Sequence, residues 1–291
     1  MKNKIVHMVE QNVKAFASKK GTKAKRNEYD EVIERKLRLF RNRGAEIVKC
    51  TANGQILRIQ HFNDQTGVSY IVHYQFLIKQ KSLMYIEEQI EERCAFFKGS
   101  ELIEDKKITR GTSTLENEEK IEREQTVTKK SSYHYNRFSA VRYAEIWWNS
   151  YNPAFKKFEV DCTNFVSQCL FAGGIPMNGY PNRAKGWWMQ NKSWSYSWAV
   201  AHSFRWYLSS AHSRIKAVEV SSPEQLMPGD VICYDFEGDG RFNHTTIVVA
   251  KDQRGMPLVN AHSTNSRMRY WSYEDSTAYT PKVKYKFFHL L

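Results

Sequence analysis

Six apolar residues stand at every second position from 68 to 78: Val68, Tyr70, Val72, Tyr74, Phe76 and Ile78. A period of two puts all six on one face of an extended strand, and no helix can gather them. A strand with one apolar face needs a sheet around it and something to cover that face. The flanking sequence offers both. Leu83 to Phe97 reads as more antiparallel sheet. In EIVKCTANGQILRIQHF, Asn53-Gly54 lies between two β-type runs and predicts a hairpin turn, since both central residues of such a turn take positive φ. Val6, Val9, Val13 and Phe16 recur at helical spacing, as do Tyr29, Val32, Ile33, Leu37 and Phe40. The basic stretch KKGTKAKRN between them reads as a solvated turn. Residues 1–98 are therefore expected to form an accessory α+β domain, helices packed on an antiparallel sheet. Cys50 and Cys94 fall in its strands and read as small core residues.

Residues 99–132 change character. Charge, Ser and Thr dominate, aromatics vanish, and a charged linker is expected, with a short helix near Glu116 to Glu124. Aromatics return at Tyr133, where a second domain, 133–291, begins. A chain of 291 residues suits two domains.

The formal net charge is +13. Such a surface favours anionic partners: nucleic acid, anionic lipid or an anionic wall polymer. No nucleic-acid-binding module accompanies the charge, so specific nucleic-acid binding is not expected. No run approaches the ~18 apolar residues of a membrane span. The N-terminus is charged throughout and lacks the unbroken apolar core of a secretory signal. Five cysteines, odd in number and widely spaced, are no disulfide framework. These features predict a reduced, cytoplasmic protein, with release to the cell wall by another route left open.

Chemistry concentrates in the second domain. The segment SAVRYAEIWWNSYNP predicts a helix capped by Ser139, with Ala140, Tyr143, Ala144 and Trp147 on one face and Pro153 as its stop. DCTNFVSQCL, Asp161 to Leu170, predicts a second helix, buried along Phe165, Val166, Cys169 and Leu170. Cys162 falls in its first turn, where unpaired N–H groups and the helix dipole favour a thiolate. Cys162 reads either as a nucleophile or as packing. Cys169 is about 10 Å further along the axis by the helical rise, too far for a disulfide, and reads as core. Asp161 reads as an N-cap or first-turn carboxylate.

Downstream, Pro228-Gly229-Asp230 launches a strand, Val231 to Phe236, which makes Cys233 a buried residue. His244 precedes a second strand and Leu258 to His262 form a third. A histidine at a strand start can face a helix N-terminus as a base. Asn260 and His262 share one face of their strand, and either can orient it. Trp187, Trp188, Trp194, Trp198 and Trp206 crowd a short stretch. Most read as core, while Trp187 and Trp188, after Gly186, read as cleft walls.

The ordered pieces DCTNFV, LMPGDVI, HTTIVV and VNAHST resemble the circularly rearranged papain-like hydrolases, which include the CHAP family and the NlpC-type cell-wall peptidases. More closely, YNRFSAVRYAEIWWNSYNPAF, DCTNFVSQCLFAGGIPM, the Trp-rich stretch and NAHSTN resemble the bacterial "putative amidase domain" family. The resemblance runs from Tyr133 to the C-terminus and leaves residues 1–98 uncovered. It implies a papain-like α+β domain and a cysteine hydrolase acting on amide bonds, with a Cys162 nucleophile, a His244 base and His262 as the third, orienting residue (Asn260 the alternative). It also implies a thioester intermediate and no metal or cofactor. Peptidoglycan fragments or other peptides would be the substrates, held near Asp161, Trp187 and Trp188. DCTN departs from the usual DCSG of the compact cell-wall peptidases at Asn164, next to the expected oxyanion site. The competing reading is a catalytically silent module that keeps the fold and holds cell-wall or peptide ligands in a Trp-rich cleft.

Overall fold

A computed structural model of the chain describes residues 1–18, 28–108 and 133–291. The expected basic turn and the expected helix near Glu116 to Glu124 lie outside the described residues. The structure is α+β, with helices and extensive antiparallel sheet. Chain contacts divide it into two units. The first is Met1–Arg110 with the short segments Thr264–Ser266 and Tyr273–Thr277. The second comprises Gly111–Ser263, Arg267–Ser272 and Ala278–Leu291.

In the first unit, helices α1 (Lys2–Ala17) and α2 (Glu28–Asn42) precede four strands, β1 (Glu46–Phe62), β2 (Gln65–Gln80), β3 (Leu83–Lys98) and β4 (Glu101–Lys107). The strands pair antiparallel in sequence order. The period of two in β2 behaves as expected: Val68 to Ile78 bury all six apolar side chains to 1% exposure or less. Burial of such side chains stabilises by about 1.5–3 kcal/mol each. Phe16 of α1 meets the rings of Tyr74 and Phe76 edge-on at 5.8 and 4.9 Å. Cys50 is buried, which pushes its thiol up to about 12, and Cys94 is half-buried.

Four expectations for this unit need correction. Asn53-Gly54 makes no turn. Asn53 pairs with His73 and Gly54 with Val72 in the middle of β1. A hairpin there would strip β2 of half its partner and leave that row of backbone groups unpaired. The turns fall instead at two-residue loops whose first residue takes positive φ: Asn63 (49°), Lys81 (52°) and Gly99 (58°). Residues 101–107, expected in the linker, form β4. Their charges are matched across the sheet: Asp105 accepts from Arg93 Nε at 2.9 Å and from the Tyr70 hydroxyl at 2.6 Å. The face of α1 is rotated, so that Ile5 is buried and Val6 exposed. In α2, Lys36 joins Val32, Ile33 and Phe40 in the interior. Its ammonium is neutralised there by Glu87 and by Asp275 Oδ2 at 2.9 Å, the pairing a buried charge requires.

The second unit opens with α3 (Arg137–Trp147) and α4 (Cys162–Ala172). A two-strand ribbon follows, β5 (Met189–Gln190) and β6 (Ser193–Trp194), then α5 (Tyr196–Ala199) and α6 (Ala201–Leu208). The remaining strands are β7 (Ala217–Val220), β8 (Val231–Asp235), β9 (His244–Lys251), β10 (Pro257–Ala261), β11 (Ser266–Tyr270) and β12 (Lys284–Leu290). They run in the order β11-β10-β9-β8-β12-β7. The cap of α3 is Asn136, not Ser139: Asn136 Oδ1 accepts the Ser139 N–H at 2.9 Å.

The Pro-Gly-Asp turn before β8 is a structural hub. Asp230 is fully buried, accepts the N–H of Met227 and of Leu290, and pairs with Arg137 and His289. Gly229 sits at φ 93°, where a side chain would be strained, and a Cβ there would crowd the Tyr135 hydroxyl at 3.1 Å. That hydroxyl donates to the Gly229 carbonyl at 2.7 Å.

Candidate active site

Helix α4 is more deeply buried than its apolar stripe predicts. Every residue from Cys162 to Leu170 is buried, polar ones included. Buried polar groups persist where they are hydrogen-bonded, and each polar side chain here has a partner. Ser167 Oγ donates to the Trp198 carbonyl and accepts from Trp187 Nε1 at 2.9 Å. Asn164 Oδ1 accepts from Trp198 Nε1, and Asn164 Nδ2 donates to the Lys156 carbonyl and to Asp161 Oδ1. Gln168 accepts from the Tyr143 hydroxyl at 2.6 Å.

This network overturns the expected cleft walls. Trp187 and Trp188 are 0% and 1% exposed. The Trp188 indole N–H is also satisfied internally, by the carbonyls of Asn182 and Lys185. Both rings are core, so a ligand cleft walled by them is not formed. Asp161 is not open to substrate either. It is 1% exposed, its Oδ1 accepts from Phe158 N–H at 2.9 Å, and its Oδ2 pairs with His262 Nδ1 at 2.7 Å.

His262 is thereby committed. Its Nε2–H donates to the Trp147 carbonyl at 2.8 Å, and its ring stacks on Phe165 at 4.0 Å. Asn260 is committed too. Its Nδ2 donates to Glu145 Oε1 at 2.8 Å, and its Oδ1 accepts the Met268 N–H. Among the described residues neither His262 nor Asn260 hydrogen-bonds His244. The expected third triad member is therefore not assembled, because both side chains face α3 and α4 and find stronger partners there.

Cys162 is 2% exposed, at the first turn of α4. Its Sγ lies 3.8 Å from Thr163 Oγ1. Burial raises the thiol pKa, while the Thr245 N–H and the hydroxyls of Thr163, Ser263 and Thr245 pull the other way. Burial wins, so the thiolate expected from the helix end is not the resting form at neutral pH. Thr245 Oγ1 donates to Thr163 Oγ1 at 3.1 Å, and Ser263 Oγ accepts the Asp161 N–H at 3.1 Å. Ser263 adopts φ 80°, a strained conformation for a residue with a side chain. Sequence patterns point to neither Thr245 nor Ser263, since each shows only as a neighbour of a histidine.

His244 opens β9, one residue before Thr245. Successive side chains along β9 leave on opposite faces. Thr245 turns to α4, and His244 rests against Tyr234 and Phe236, at 5.4 and 6.0 Å between ring centroids. Burial first, and Arg269 second, lower its pKa to about 3, so its imidazole is neutral across the physiological range. A small open pocket adjoins the thiol. It is lined by Val160, Cys162 and Thr163, by Ala199 to His202 and by Arg241 to Asn243. His202 escaped the sequence reading because no motif spacing ties it to Cys162. Its Nδ1 faces the Phe242 N–H at 3.3 Å. Cys169 and Cys233 are fully buried with pKa values raised by burial, as core residues should be. Among the described residues no three His, Cys, Asp or Glu side chains gather as a metal site, and no helix is long and apolar enough to cross a membrane.

The raised thiol has a measurable consequence. Only the thiolate is alkylated, and its fraction grows about tenfold per pH unit below the pKa. The rate of Cys162 alkylation by a small haloacetamide should climb without levelling from pH 7 to 9, read by mass spectrometry of the labelled peptide. A plateau below pH 8 would show a preformed thiolate instead.

The family model described as "Putative amidase domain" matches residues 134–288, over half of the chain. The chain belongs to this family. The amidase-domain chain is 53% identical over 270 residues to "Uncharacterized protein YhbB" of Bacillus subtilis (strain 168), covering 90% of this chain and 86% of the relative. It is 30% identical over 216 residues to "Uncharacterized protein YjcM" of the same organism, covering 71% of this chain but 46% of the relative. No solved structure matches. The amidase description points to hydrolysis of amide bonds, and the similarity to YhbB extends well beyond the matched domain.

Proposed function

We propose that the amidase-domain chain is a cysteine amidase or peptidase, with Cys162 as nucleophile. The observation that carries this reading is the thiol at the first turn of α4, beside a pocket and ringed by the Thr245 N–H and three hydroxyls. Such donors suit the thiolate that must form before it attacks an amide carbonyl. The Cys162 backbone N–H, at the helix end, would stabilise the oxyanion. Attack forms a carbon–sulfur bond, and the tetrahedral adduct expels the amine as it takes up a proton. Water then hydrolyses the thioester and restores the thiol. The papain-like relationship fits the order of nucleophile helix, His-bearing strand and following strand. Peptides are the substrate class, peptidoglycan fragments first among them, because a charge of +13 suits an anionic wall polymer.

Proton transfer falls to a histidine. The family's motif order assigns it to His244, although burial lowers that imidazole's pKa to about 3, which makes it a weak base for a thiol. One observation favours His202 instead, since it lines the pocket beside Cys162. Glutamine variants separate the two. His244→Gln is expected to lower kcat on muropeptides by about 10²-fold or more, with His202→Gln within a few-fold of the parent. The reverse pattern would move the base to His202. Full activity in both variants would refute a histidine base.

A further inference from the structure

The segment that follows the nucleophile is one-sided in charge. From Cys162 to Val218 there are six Lys or Arg and no Asp or Glu. Two cations from around this stretch converge on one indole. Lys156 Nζ lies 4.0 Å from the Trp194 ring, and the Arg183 guanidinium 4.6 Å from the same ring and 5.0 Å from Tyr196. Lys157 lies 3.8 Å from the Tyr151 ring. Among the described residues, none of Lys156, Lys157 and Arg183 forms an ion pair. Glu159, exposed, is the one acid in residues 150–160. Like charges gathered on aromatic faces with no ion-pair partner leave a site that an anion would complete.

The cluster is fastened to the nucleophile's helix. The Lys156 carbonyl accepts from Asn164 Nδ2 at 2.9 Å, and the Phe158 N–H donates to Asp161 Oδ1 at 2.9 Å. Phe158 in turn meets Trp194 edge-on at 4.9 Å. Residues 156–158 are thus strapped to the first turn of α4, where Cys162 sits. On the Trp194 side, Arg183 Nε donates to the Trp194 carbonyl at 3.1 Å, which fixes the guanidinium over the ring. The arrangement presents a fixed guanidinium and an exposed ammonium on one indole, with the Lys156 backbone tied to the first turn of α4. A planar carboxylate matches a guanidinium fork better than any neutral group does.

We propose that Lys156 and Arg183, on the Trp194 platform, form a carboxylate-recognition subsite on the segment strapped to the first turn of α4, so that the preferred substrates are anionic peptides. This rests on the cysteine-amidase reading for its substrate but is tested apart from catalysis. The probe is a muropeptide monomer with its carboxylates free, set against the same molecule with them converted to amides. Binding is measured by calorimetry to the full chain carrying Cys162→Ala, which cannot consume the probe. The free acid should bind at least about tenfold tighter than the amide, with the preference shrinking as salt rises. Adding Lys156→Glu, at an exposed side chain, should erase the preference. Lys192→Glu, which changes net charge equally outside the cluster, should leave it intact. Equal affinity for the two forms, no binding of either, or equal loss from Lys156→Glu and Lys192→Glu would overturn the subsite. Failure of the catalytic reading shows elsewhere, as equal turnover of the free acid by the parent and by Cys162→Ala.

Discussion

Replacing Cys162 by alanine is expected to lower amide hydrolysis by at least about 10⁴-fold while the fold persists. The magnitude follows from what the thiol supplies. In the proposed mechanism it is the atom that becomes covalently bound, and without it the donors around the pocket can only polarise the carbonyl for direct attack by water. Residual rates of that kind come from oxyanion stabilisation and binding alone. The fold should survive because the side chain is small and its sulfur makes only weak hydrogen bonds, such as that to Thr163 Oγ1 at 3.8 Å. Unchanged circular dichroism and an unchanged denaturation midpoint, measured beside the rates, would confirm that chemistry alone was lost. Cys162→Ser should also be nearly inactive, since a buried hydroxyl is far harder to ionise than a buried thiol. An alanine variant within tenfold of the parent would remove Cys162 from the mechanism.

The second large effect is on stability. Asp161→Ala should cost about 3–5 kcal/mol, because it removes the buried carboxylate that accepts from three donors, each worth about 1–3 kcal/mol if left unsatisfied. Asp161 and His262 are both nearly fully buried, at 1% and 2% exposure. The aspartate also accepts from Asn164 Nδ2 and from the Phe158 N–H. One carboxylate therefore joins the end of β10, the loop before α4 and the first turn of α4. His262→Ala should cost less than the aspartate variant, since the carboxylate keeps its other donors. The double variant should be milder than the sum, with a coupling near 1–3 kcal/mol. Additive losses in urea denaturation would show that the pair contributes nothing as a pair. Because the aspartate braces the turn that carries Cys162, its loss should also reduce kcat in chain that remains folded.

These effects show where sequence was informative and where it was not. The alternation in β2 was legible because burial of one strand face is a local, period-two signal. Asn53-Gly54 misled because turn propensity is also local, and the pairing of β1 with the full length of β2 outweighs it. Lys81-Ser82 makes a hairpin turn with neither Gly nor Asn in it. β4 was hidden because ELIEDKK owes its place to Arg93 and Tyr70, partners that its own charged sequence does not show. The order of Cys162, Pro-Gly-Asp turn, histidine and polar strand end is readable as motif. Which of these side chains touch is not. His262 lies 101 positions from Asp161, and nothing in either segment announces that they meet. The same holds for the indoles. Trp187 and Trp188 read as exposed only while the acceptors that bury them, Ser167 and the carbonyls of Asn182 and Lys185, are unknown. The thiol's protonation state was misjudged for a related reason. A helix end is visible in sequence, whereas full burial of that end is not.

The central claim is that Cys162 forms a covalent bond to the acyl half of an amide substrate. An acid-quenched reaction of the intact chain with muropeptides, taken within the first turnovers and weighed by mass spectrometry, tests it most directly. The account predicts an adduct equal in mass to the acyl fragment, located on the peptide that contains Cys162, released by hydroxylamine and absent from Cys162→Ala. Cleavage of the substrate at equal rates by both chains, with no adduct on either, would contradict it.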